Sequence, residues 1–79
     1  MPRYFFHLHD GAVTRDYEGV ELPDATNARA RAVHEALSMA SESIRNDGRL
    51  VLHHYILVTD EADREVARIA FGEIIDVRT

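Results

Sequence analysis

The sequence predicts an α+β domain with the element order ββαββ, a four-stranded antiparallel sheet carrying one helix on one face. Three observations carry this expectation. Segments of alternating side chains, each closed by a turn signal, lie near both ends of the chain. Between them runs a single Ala-rich stretch with helical periodicity, bounded by Asp24 and Gly48. With 79 residues the chain has room for one such domain, spanning 1–79.

The first hairpin is expected over 3–22. Arg3 to His9 alternates, with Tyr4, Phe6 and Leu8 on one face and Phe5, His7 and His9 on the other. Its aromatic content favours strand over helix. Asp10-Gly11 supplies the turn. Val13 to Asp16 starts a second strand, Tyr17-Glu18-Gly19 bends or bulges it, and Val20 to Leu22 closes it.

Pro23-Asp24 breaks into the helix, expected over 25–46. Asp24 is suited to cap its first-turn amides, and Gly48 is suited to stop it. At about 100° per residue, Ala28, Ala32, Val33, Ala36, Leu37, Ala40 and Ile44 form one broad apolar stripe. Arg29 falls within that arc, its stem placed to lie along the sheet edge.

The second hairpin is expected over 50–71. Leu50 to Thr59 is its longer strand, Asp60-Glu61-Ala62-Asp63 its turn, and Glu65 to Phe71 its return, with Ala67, Ile69 and Phe71 on one face. A short tail, 72–79, follows Phe71. A right-handed crossover favours the spatial order 2-1-3-4. One register then pairs Tyr4 with Val58, Phe6 with Ile56, Phe5 with Leu57, His7 with Tyr55 and His9 with His53. One helix cannot cover both faces of such a sheet. The face left open would carry Phe5, His7, His9, His53, Tyr55 and Leu57, and this is the expected interaction face.

Composition excludes several functions. There is no Cys, so disulfides, thiolate nucleophiles and Cys-based zinc sites are ruled out. Apolar residues make up 46% of the chain, too many for disorder. All nine cationic residues are Arg, but they are scattered among fourteen acidic ones. The resulting net charge of −5 opposes phosphate binding, so nucleic acid is not the expected partner. No stretch is long and apolar enough to span a membrane, and no apolar leader follows Met1, so a cytoplasmic location is expected. Ser38, Ser41 and Ser43 lack a nucleophile-elbow motif. Asp60, Glu61 and Asp63 lack the ligand spacing of a calcium loop. Asp10, Asp16 and Glu18 read as a solvated acidic turn. No catalytic residue and no cofactor are assigned, and a non-enzymatic protein is expected.

Three readings of the open face stand side by side. One is contact with a protein partner, most simply a second copy in a homo-oligomer, through this face or through an open strand edge. The second is a base-stacking platform, which the acidic charge opposes. The third is a metal or ligand site built from His7, His9 and His53, with Asp10 as a fourth ligand. His54 is expected on the helix side with a backbone hydrogen bond, and His34 on the solvated helix face.

Several runs carry a family resemblance. They are Pro2-Arg3-Tyr4-Phe5-Phe6-His7, Asp10-Gly11, Glu18-Gly19-Val20-Glu21-Leu22-Pro23-Asp24 before the Ala-rich helix, and Val58-Thr59-Asp60-Glu61 before the last strand. Together they resemble a family of small bacterial domains of unknown function, over almost the whole chain. The resemblance implies no activity, and no catalytic residue carries over. A looser similarity is to HicB-type antitoxins, through Tyr4 to Asp10, Gly19 and the Ala28-Ala32-Ala36 register. It implies a regulatory module that binds a small nuclease. The chain departs from that pattern where Pro23-Asp24-Ala25-Thr26 replaces a Gly-Asp-Thr helix start, and it has no room for an added DNA-binding element.

Overall fold

A computed structural model describes residues 1–79. The chain is α+β, with one main helix and an antiparallel sheet of five strands. The strands are β1 (Arg3–His9), β2 (Val13–Thr14), β3 (Val20–Glu21), β4 (Tyr55–Thr59) and β5 (Glu65–Ala70); the helices are α1 (Ala25–Asp47) and α2 (Phe71–Ile74). The spatial order is β2-β1-β4-β5, and β3 also pairs with β1. No helix is long and apolar enough to cross a membrane.

The expected count of four strands is corrected because the second strand is broken in two. Leu8 and His9 pair with Thr14 and Val13, whereas Arg3 and Tyr4 pair with Glu21 and Val20. Across the break the register shifts by two residues, and the extra chain is extruded as a loop over 15–19. Asp16 organises that loop. Its Oδ1 accepts the N–H groups of Glu18 and Gly19 at 3.0 and 3.1 Å, and its Oδ2 accepts the N–H of Phe6 at 3.1 Å. A side chain thus satisfies a backbone donor in the middle of β1 that would otherwise lack a strand partner.

α1 begins and ends at its expected signals. The Asp24 carboxylate accepts the N–H of Asn27 at 2.9 Å, and Gly48, in the left-handed region at φ 62°, donates its N–H to the Ile44 carbonyl. Ala28, Ala32, Ala36 and Ala40 are buried against the sheet, where they meet Tyr4, Phe6, Ile56, Val58, Ile69 and Phe71. Methyl-sized contacts let the helix sit close to the strands. Ile56, Val58 and Ile69 are fully buried, each worth about 1.5–3 kcal/mol in burial. Leu37 and Ile44 do not share this contact. They are 42% and 50% exposed on the flank of α1, so the packed stripe is narrower than the sequence suggests. Arg29 is exposed rather than laid into the interface.

The second hairpin is shorter than 50–71. Residues 51–54 turn instead of pairing with β1: the His54 N–H donates to the Val51 carbonyl, while the carbonyls of Leu52 and His54 accept the N–H groups of Gly72 and Phe71. β1 has no residue left to pair there, because its last partner across β4 is His9 with Tyr55. The tail is partly structured, since α2 buries Phe71, and Ile74 and Ile75 pack on the core.

Candidate functional site on the helix-free sheet face

β1 and β4 pair Phe5 with Thr59, Phe6 with Val58, His7 with Leu57, Leu8 with Ile56 and His9 with Tyr55. This register differs by two residues from the expected one. A slip of two keeps every side chain on its face, because the side-chain period of a strand is two. Phe5, His7, His9, Tyr55 and Leu57 therefore lie on the face opposite α1. His53 is outside the strand ladder but still borders a shallow cavity with His9 and Tyr55 at the end of this face. It is exposed in the turn before β4, and His9 meets Tyr55 in its place.

The face is not uniformly open. The 15–19 loop folds over the end that holds Phe5 and His7. Gly19 lies so close to Phe5 that a Cβ built on it would come within 2.9 Å of Phe5 Cε1. His7 is only 2% exposed. Its Nδ1 accepts the backbone N–H of Asp16 at 3.1 Å, and its Nε2 lies 2.9 Å from Thr59 Oγ1. A ring nitrogen that accepts an N–H carries no proton, so Nε2 carries it and donates to Thr59. The ring is fixed as one neutral tautomer. Burial, with help from the Arg15 charge, lowers its pKa below the usual imidazole value. Burial also opposes the charge on Asp16, but the N–H groups of Gly19, Phe6 and Glu18 outweigh it and hold that carboxyl below the ordinary range. Beside His7 a cleft of about 260 Å³ is lined by polar groups, among them Arg15, Asp60, Glu61 and Asp63.

These bonds remove His7 from the alternative metal set of His7, His9 and His53. Both of its ring nitrogens are engaged, His53 is on a turn, and no group of three or more His, Asp or Glu side chains is disposed to hold a metal ion. His54 packs edge-on against Phe71 at 6.1 Å between centroids rather than bonding to backbone through its ring, and His34 is exposed on α1.

The uncovered end of the face is built around Tyr55. His9 stacks on its ring at 4.5 Å with an interplanar angle of 14°, and the Arg68 guanidinium lies 4.5 Å from the ring centre. β1 and β5 flank β4 on opposite sides, so the two groups cover the two faces of the ring. Glu65 holds Arg68 in place at 3.1 Å. Leu57, half-buried, lies between His7 and Arg68 in the ladder. Sequence reading missed Arg68 because its partner is a diagonal neighbour, and the strand that carries it lies two strands from His9. It also missed Thr59 and Asp16 as partners of His7; the turn residues Tyr17-Glu18-Gly19 were the one signal of the loop.

Both sheet edges are blunted. β2 and β3 have two residues each. On β5 the ladder is irregular opposite Val58 and Thr59, Arg64, Glu65 and Arg68 place charge along the strand, and the Ala70 N–H is taken by Glu73 Oε1 at 3.3 Å. Short, charged and bulged edges of this kind resist strand addition.

A single helix on an interrupted antiparallel sheet, with a capped histidine and a sandwiched tyrosine on its far side, defines a small α+β domain. The chain belongs to the family described as Domain of unknown function (DUF6894), which it matches over residues 3–72. No curated protein and no solved structure matches it.

Proposed function

We propose that this domain is a non-enzymatic protein-interaction module, that its contact surface is Tyr55, His9, Arg68 and Leu57 on the helix-free face, and that its simplest partner is a second copy of the chain. The observation that carries the reading is the sandwich of Tyr55 between His9 and Arg68. Tyr and Arg are among the side chains that most often dominate binding at protein interfaces. Here they are ordered on folding, which lowers the entropy cost of contact. Two further features support a protein contact over the alternatives. A stacking base needs a free ring face, and both faces of Tyr55 are taken. The one buried imidazole uses both ring nitrogens in bonds that hold the fold. The blunted edges direct contact to the sheet face rather than to strand addition.

Sedimentation of the full chain from micromolar to millimolar concentration tests this. A concentration-dependent dimer is expected, and Tyr55→Asp or Arg68→Glu should leave a folded monomer with an unchanged far-UV spectrum. A wild-type chain that stays monomeric throughout, or a dimer indifferent to both substitutions, removes the self-association reading.

A further inference from the structure

We propose that the 15–19 loop is an acid-released cover over one end of the helix-free face, held shut by the neutral imidazole of His7. The latch is the N–H of Asp16 donating to Nδ1. A proton added to that nitrogen turns an acceptor into a donor, and two N–H groups then face each other. Nε2 offers no alternative, because it already carries a proton toward Thr59. The imidazolium would also sit 2% exposed, so hydrating it requires the loop to move away.

The surrounding charges do not rescue the closed state. Asp16 and Asp63 favour the charged ring, while Arg15 and His9 oppose it, and Asp60 and Glu61 line the same cleft. Both carboxylate oxygens of Asp16 are committed to backbone N–H groups. Asp63 is paired with Arg15 at 3.6 Å. Neither carboxylate places an oxygen within 4.0 Å of a His7 ring nitrogen, so a new N–H on Nδ1 has no acceptor in the closed loop. The loop is otherwise lightly held. Tyr17 is 83% exposed, and outside the Asp16 bonds the attachments are the Arg3 guanidinium donating to the Glu18 and Gly19 carbonyls at 2.8 and 3.4 Å, the Arg15–Asp63 pair, and Gly19 packed on Phe5. Once released, the loop uncovers Phe5 and His7 beside Leu57 and lengthens the exposed apolar face. The proposal concerns the lone chain and does not depend on its having a partner.

Amide hydrogen exchange of the full chain, followed by NMR from about pH 7.5 to 5, tests it. The opening constants for the N–H groups of Asp16, Gly19 and Phe6 should rise by up to about tenfold per pH unit below about pH 6.5, and at every pH should exceed those of Ile56 and Val58, which exchange only by global unfolding. Ring nitrogen shifts should show the proton on Nε2 at neutral pH. In His7→Gln the side-chain oxygen accepts and the amide donates without titrating, so the loop should stay closed with a flat profile. A proton on Nδ1 at neutral pH, loop exchange that ignores pH, an unaltered pH profile in His7→Gln, or loop opening constants no larger than those of β4 would each overturn the proposal.

Discussion

The carboxylate of Asp16 accepts the backbone N–H of Phe6 at 3.1 Å, closing from the side a gap that no strand carbonyl fills. The same carboxylate holds its own loop through Glu18 and Gly19, so one side chain both interrupts the second strand and repairs the first. Asp16→Ala removes three charge-assisted bonds and leaves the Phe6 donor beside the core. It is expected to cost about 2 kcal/mol or more in urea unfolding, with Asp10→Ala, on the exposed turn, close to neutral.

Stability should fall with acid in two stages. The pKa of His7 is lowered in the folded state, so its contribution is complete above the ordinary imidazole value of about 6.5 and declines as pH falls from there toward the folded value. Asp16 is also lowered, so its contribution is complete above the ordinary carboxylate value of 3.8 and is lost only as pH falls through its folded value. Chemical denaturation at a series of pH values should show both declines. His7→Gln should abolish the upper one and leave the lower, and Asp16→Asn should weaken the lower one.

Gly19 and Gly48 make a matched pair. Both lie in the left-handed region, at φ 71° and 62°. A Cβ on Gly48 meets nothing, whereas on Gly19 it would come within 2.8 Å of Arg3 Cγ and 2.9 Å of both Phe5 Cε1 and the Tyr4 carbonyl oxygen. Gly48→Ala should therefore cost about 1 kcal/mol, the backbone term alone. Gly19→Ala should cost at least about 2 kcal/mol, and should also shift the Phe5 ring signals, because the backbone contact cannot yield as a flexible side chain can.

Local signals were legible in the sequence; pairings that depend on distant chain were not. Asp24 and Gly48 mark α1 because capping is settled within one turn of helix. The alternation in β1 places Phe5, His7 and His9 opposite the helix whatever the register. The register itself depends on where β4 starts. That is set by the Phe71 and Gly72 N–H groups capturing the carbonyls of His54 and Leu52, and nothing in Leu50 to His54 signals it. His53 left the ladder for that reason, while staying beside His9 and Tyr55 in the turn before β4. The burial of His7 was hidden because strand parity says which face a side chain takes, not whether a loop folds back over it.

The Ala stripe of α1 gives the sharpest packing test. Ala36 has no exposed surface and lies at the middle of the buried row, while its neighbour Leu37 is 42% exposed on the flank. A helix held this close to its sheet has no space for a longer side chain, and interiors at native density accommodate extra methylenes only by moving backbone. Ala36→Leu is thus expected to destabilise by about 3 kcal/mol, although it makes the buried stripe more hydrophobic. Leu37→Ser removes an apolar side chain and should change stability by less than about 1 kcal/mol. Thermal unfolding of the two variants decides between a tight α1–sheet contact and a loose one. If Ala36→Leu leaves the protein as stable as wild type, the helix does not sit at alanine distance from β4 and β5, and the division of this sheet into a covered and an uncovered face would have to be redrawn.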